Sequence, residues 1–114
     1  MLKRHLVYLV TNRSGTLYIG STGNIVERMR SHRRRGDDGF TRRYRMGRLI
    51  YFELHADKAA AQARERQLKG WVRRKKIALV NESNPAWAEL LPVVRELERG
   101  RQTLRFAQGP VQRP

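Results

Sequence analysis

The segment Asn12-Arg13-Ser14-Gly15 constrains this chain most, because it separates two short strand-like runs and dictates how they meet. Residues 5–12 are rich in Val, Leu and Tyr, and residues 16–21 form a second β-prone run. Asn at the first and Gly at the fourth position suit a type I turn, with Gly15 left-handed in a three-residue hairpin loop. Pairing Asn12 with Thr16 then sets the register. Tyr8 falls opposite Gly20 and Val10 opposite Tyr18 on one face, while Val7, Leu9, Leu17 and Ile19 take the other.

After the hairpin, Asn24 reads as a helix N-cap, with Glu27 as the return partner of a capping-box-like start. That helix is expected to run to about Arg35 and to end at Gly36-Asp37-Asp38-Gly39. A basic connector follows over residues 42–48, then a third strand over 48–55 (RLIYFELH). Asp57 opens an Ala-rich helix through Lys69, Gly70 marks a bend, and residues 71–80 continue helical. Asn84-Pro85 predicts another helix start, since Asn caps and proline fits the first helical position. Trp87, Leu90, Leu91, Val94 and Leu97 form its apolar stripe, with Pro92 kinking it or opening a second short helix. The domain is thus expected over residues 1–98, with a flexible basic tail over 99–114.

Charge narrows the function. Lys and Arg number 25 against 10 Asp and Glu, a formal charge of +15. Self-repulsion at this level opposes folding and points to a polyanionic partner, nucleic acid first, because Arg outnumbers Lys and clamps phosphate bidentately. The absence of cysteine excludes disulfides, thiolate metal sites and a cysteine nucleophile. No run approaches the roughly 18 apolar residues of a membrane span, and the first residues lack a secretory signal's apolar region, so a cytoplasmic protein is expected.

Two helices carry polar groups beside their apolar stripes. Ile25 and Met29 mark the stripe of the first, flanked by Arg28 and His32. Ala61, Leu68 and Val72 mark that of the second, with Glu65 between them. A carboxylate facing a sheet is costly unless paired, hydrogen-bonded or bound to a metal. Taken singly, Glu65 could pair with Lys69 on a solvated face, and Arg28 and His32 could be surface charges. Together with Tyr8, Tyr18 and a glycine that leaves room for phosphate, they suit phosphodiester hydrolysis. A metal would polarise phosphoryl oxygen, an arginine neutralise developing charge and a base activate water. No Walker A loop, HExxH or GxSxG competes.

At these residues the chain resembles the GIY-YIG endonuclease superfamily, particularly its small single-domain bacterial members. Tyr18-Ile19-Gly20 keeps the second half of the signature, and Leu6-Val7-Tyr8 keeps only the tyrosine of the first. Arg28, His32, the run from Glu65 to Trp71, and Asn84-Pro85-Ala86-Trp87 look like the later motifs. The resemblance implies an α+β fold, a small three-stranded antiparallel sheet (hairpin, helix, third strand) flanked by helices. It implies a DNA endonuclease of repair or recombination using one divalent cation, Mg²⁺ or Mn²⁺, held by Glu65. Tyr8 or Tyr18 would be the base, Arg28 the transition-state clamp, and His32 a hydrogen-bonding partner or alternative base. A tyrosine with a pKa near 10 needs help from a cation to act at neutral pH. Repair members often carry Lys directly after the second motif's glycine, where this chain has Ser21.

The expected nucleic-acid surface comprises Gly20, Ser21, Arg30, Arg33, Arg34, Arg35, Lys69, Arg73, Arg74, Lys75 and Lys76, with Asn84 as a further site residue. DNA is the expected partner, with RNA as the alternative. The rival to an endonuclease is a catalytically degenerate module that binds nucleic acid without cutting it. A basic ribosome-associated or scaffold protein is the third reading.

Overall fold

The structure is a computed structural model, and it describes residues 5–34 and 47–99. A three-stranded antiparallel sheet is formed by β1 (His5–Thr11), β2 (Leu17–Thr22) and β3 (Arg48–His55), in the order β2-β1-β3. Among the described residues four helices accompany it: α1 (Ile25–Arg34), α2 (Lys58–Lys69), α3 (Arg73–Ser83) and α4 (Leu91–Glu98). This is the expected α+β architecture. No helix among the described residues is long and apolar enough to cross a membrane.

The hairpin has the register that the turn predicts. Gly15 sits at φ +82°, its N–H reaches the Asn12 carbonyl at 3.1 Å, and Asn12 Oδ1 accepts from Thr16 N at 3.0 Å. Tyr8 pairs with Gly20 and Val10 with Tyr18. β1 lies in the middle, and its alternating side chains divide the core in two. Leu6, Tyr8 and Val10 pack under α1 and α4 with Ile25, Met29, Val94 and Leu97. Val7 and Leu9 pack on the opposite face with Ile19, Ala61 and Leu68 under α2, and with Val80 of α3.

Several local expectations are corrected. Asn24 caps α1 by accepting from Glu27 N at 3.2 Å, but its own N–H goes to Thr22 Oγ1 at 3.0 Å, so the return bond of a capping box is replaced. The helix after Gly70 does not begin at Trp71. Val72 is extended at the N-cap of α3, and at 57 % exposure it belongs to no buried stripe. Asn84 starts no helix. It caps the C-terminus of α3, and the next helix waits until Leu91, with Pro92 in its first turn. The intervening loop is set by tertiary bonds. Asn84 Nδ2 donates to Ile50 O at 2.9 Å and Ala88 O at 3.0 Å, and its Oδ1 accepts from Ala88 N at 3.1 Å. Trp87 in that loop adopts φ +54°, a conformation that bulky residues rarely hold.

The connector expected over 42–48 lies outside the described residues up to 46, as does the tail from residue 100.

Candidate active site

The site grows out of the hairpin. Tyr8 is completely buried, because β1 is central and α1 covers this face. Its ring lies across Gly20 so closely that a Cβ there would sit 2.5 Å from the Tyr8 hydroxyl oxygen and 2.7 Å from Cζ. The space expected to admit a phosphate above Gly20 therefore holds the Tyr8 phenol. Glycine is needed for the tyrosine, and Gly20 offers no open approach on that side.

His32 is no surface charge. Three residues past Met29 on α1, it is buried, and its Nε2 is hydrogen-bonded to the Tyr8 hydroxyl at 3.0 Å. Tyr18 packs edge-on against the same imidazole, with ring centroids 5.3 Å apart, while Tyr8 meets it at 5.8 Å and 60°. Two tyrosines and a histidine thus share one cluster. A phenol bonded to an imidazole has a group to hand its proton to, which answers part of the chemical objection to a tyrosine base.

Glu65 stands at the other side of edge strand β2. It is partly buried on α2, and its Oε1 accepts from Ser21 Oγ at 2.6 Å. Its Oε2 is paired with Lys69 Nζ at 2.8 Å, the i,i+4 pair anticipated for a solvated face. The carboxylate is therefore both an ordinary helix pair and a group tied to the sheet. Burial pushes its pKa up, but the hydrogen bonds from Lys69 and Ser21 and the charges of Lys69 and Arg28 outweigh that, leaving it below the usual Glu value. It is ionised at neutral pH. The charge of Arg28, on α1, acts at Glu65, on α2.

The donor set suits one hard divalent cation. Among the described residues no three His, Asp or Glu side chains cluster as a protein-only metal cage. Mg²⁺ does not require one, since it keeps several waters and commonly takes one or two carboxylates plus phosphate oxygens. Glu65 supplies an ionised carboxylate to which a cation, the Lys69 ammonium, already adheres.

The remaining expected residues spread more widely. Arg30 is exposed and pairs with Glu27 at 3.1 Å. Arg73, Arg74 and Lys75 are exposed on α3, and Lys76 is half-buried. Arg73 serves the fold by donating to Gly15 O at 2.8 Å, tying the hairpin turn to α3. Lys75 lies over the Trp71 ring, 4.6 Å from its centroid. The side chains of Arg33 and Arg34, and all of Arg35, lie outside the described residues. Asn84, carried over as a site residue, is buried in the loop closure described above.

Sequence reasoning missed one buried group. Glu53 of β3 is fully buried and held by Tyr51, His55 and Arg64. Its signal was the alternation Tyr51-Glu53-His55, which puts three polar groups on one face of a strand.

A small α+β domain with two tyrosines and a histidine beneath one side of an edge strand, an ionised carboxylate at the other and an arginine whose charge reaches that carboxylate, is built like a nuclease-family catalytic domain. The family model described as the GIY-YIG catalytic domain matches residues 4–78, and the chain belongs to this nuclease family. Similar proteins include the UPF0213 proteins SAV0488 and SA0446 of Staphylococcus aureus strains Mu50 and N315. Each is 33 % identical over 78 residues, covering 68 % of this chain and 95 % of the relative. The solution NMR structure of the UPF0213 protein BH0048 from Bacillus halodurans is 23 % identical, with a TM-score of 0.49. That alignment covers 79 % of this chain and 96 % of the other.

Proposed function

We propose that this protein is an endonuclease that hydrolyses phosphodiester bonds in DNA in the cytoplasm, in repair or recombination, with one Mg²⁺ or Mn²⁺. The observation that carries the reading is the Tyr8–His32 hydrogen bond on one side of β2, with ionised Glu65 on the other and the charge of Arg28 acting on it from α1. A phosphate at the β2 edge meets half-buried Tyr18 and positive charge together, with the Tyr8–His32 pair behind it. Tyr8 takes the proton of the attacking water as it passes its own to His32, with Tyr18 as the alternative base. The water oxygen bonds phosphorus as the bond to the leaving-group oxygen breaks, and that leaving oxygen takes a proton from solvent. Arg28 neutralises charge developing on the non-bridging oxygens. Ser21 and Lys69 orient the Glu65 carboxylate, which would hold the cation. When bound, the cation supplies Lewis-acid polarisation of the phosphoryl oxygen. The exposed Arg30, Arg73, Arg74 and Lys75 gather the polyanion.

One feature favours the rival, a module that binds without cutting: both Glu65 oxygens already carry a partner, one of them an ammonium. Incubation of the full chain with duplex, branched and single-stranded DNA, and with RNA, in Mg²⁺, Mn²⁺ or EDTA decides between them. Metal-dependent nicking that Glu65→Gln and Arg28→Ala abolish is the expected result. Salt-sensitive binding without cleavage in any metal establishes the module instead. Binding alone is no discriminator, since about six phosphate contacts produce a loss of roughly 10³-fold between low and moderate salt in either case.

A further inference from the structure

On the α2 face of the sheet lies a polar cluster that the proposed reaction leaves unused. The Glu53 carboxylate, with no exposed surface, accepts from the Tyr51 hydroxyl. Arg64 grips it as a fork, with Nε 3.1 Å from both oxygens and Nη2 3.0 Å from Oε2. His55 Nε2 is hydrogen-bonded to Oε1 at 3.0 Å. Arg64 is fixed further by donating to Gln67 Oε1 at 2.7 Å and by lying 5.4 Å over the Trp71 ring. Burial, then the Glu53 charge and its hydrogen bond, pushes the Tyr51 phenol far above its ordinary range, so it remains a donor.

Stability does not account for this arrangement. Taking a carboxylate and a guanidinium out of water costs about as much as their attraction returns, and apolar residues of equal volume often serve as well or better. Position does account for it. Val7 of β1 lies opposite Ser21 of β2 and also opposite Glu53 of β3. The three side chains form one row across the sheet, with its ends about 10 Å apart by strand spacing. Arg64 and Glu65 are consecutive on α2, about 100° apart around its axis. They take opposite ends of that row, Arg64 at Glu53 and Glu65 at Ser21. Ala61 and Leu68, buried on the same helix, make apolar contacts that tolerate sliding. The Arg64 fork does not tolerate it, because moving α2 toward either strand breaks the bond at the other end.

We propose that Glu53, acting through Arg64, is a positioning residue that fixes where α2 holds the Glu65 carboxylate. This rests on the reading of Glu65 as the group that holds the cation. Glu53 touches neither substrate nor metal; it sets a helix against a strand.

The test compares the wild type with the Glu53→Leu/Arg64→Leu double variant, and with Arg64→Lys, which keeps the charge without the fork. Mn²⁺ is the probe, followed by paramagnetic broadening of the Ser21 and Glu65 amide signals. Thermal midpoint, kcat and KM on a cleaved DNA are measured in parallel. The double variant, which leaves the buried Tyr51 hydroxyl without its acceptor, is expected to stay folded at assay temperature, with Mn²⁺ affinity and kcat down about 10–100-fold and KM unchanged. Arg64→Lys should fall between the two, and it carries the comparison if the double variant does not fold. Unaltered Mn²⁺ affinity and kcat in a folded variant, beside an active wild type, overturn the positioning role alone. A wild type that neither binds Mn²⁺ at Glu65 nor cuts overturns the nuclease reading, and the inference with it.

Discussion

The Tyr8 phenol lies across the backbone of Gly20, leaving no room for a methyl group between them. The third motif residue of Tyr18-Ile19-Gly20 thus exists to seat the tyrosine of the first motif. Gly20→Ala should push the Tyr8 ring off its place and break its bond to His32. Overpacking of this kind costs about 1–3 kcal/mol, read as a lowered urea midpoint. The folded fraction should lose cleavage as well. A Gly20→Ala protein of wild-type stability would show that the ring can move freely.

The two tyrosines are separable by substitution with Phe. Tyr8→Phe removes the hydroxyl bonded to buried His32 and should cost ~1–3 kcal/mol, the price of a stranded polar group. Tyr18 meets His32 through its ring edge, and Tyr18→Phe keeps that contact. Loss of a general base lowers kcat by about 10²–10⁴-fold. That loss is expected in Tyr8→Phe. Finding it in Tyr18→Phe alone would move the base to Tyr18 and leave Tyr8 as the histidine's support.

Glu65 links charge to folding. Its folded pKa is lowered, so the stabilisation from Ser21 and Lys69 is complete above the unfolded value, about 4.3, and is lost as pH falls through the folded one. Carboxyl NMR titration should show Glu65 ionised below the ordinary range. Ser21→Ala or Lys69→Met should raise its pKa toward that range. Because Lys69 is half exposed, the stability difference at neutral pH should stay under about 1 kcal/mol and shrink with salt. It should vanish at acidic pH, where both proteins carry a neutral Glu65. A difference that persists there would point to packing rather than charge.

Much of this site was written in local chemistry. The Asn12 and Gly15 turn fixed the register, and the register alone put Tyr8 opposite Gly20. Spacing along α1 placed Arg28 and His32 near the hairpin, and spacing along α2 exposed Glu65 as an anomaly. What local pattern could not say was which side chain fills a given space. The room over Gly20 belongs to Tyr8, and that depends on a rotamer under α1. Glu53 in RLIYFELH looks like any outward strand carboxylate until Arg64, eleven residues later, folds back over it. Asn84-Pro85 offered good helix-start chemistry, yet the bonds to Ile50 and Ala88 outweigh it, because a buried carbonyl at Ile50 must find a donor.

Asn84 therefore marks the boundary between fold and catalysis. Its side chain donates to Ile50 O and Ala88 O and accepts from Ala88 N, while its backbone carbonyl accepts from Trp87 N at 2.9 Å. These bonds hold Trp87 at its left-handed φ, with the indole N–H donating to Asn81 Oδ1 at 2.6 Å. Asn84→Ala strands the Ile50 carbonyl and releases the loop, so a loss of about 2–3 kcal/mol is expected. Asn84→Asp keeps the acceptor for Ala88 N but removes both donors, and should be nearly as damaging. If the residue only builds the loop, kcat per folded molecule stays at the wild-type value below the lowered melting temperature. A variant that folds at assay temperature and yet has lost cleavage would place Asn84 among the groups that touch the substrate.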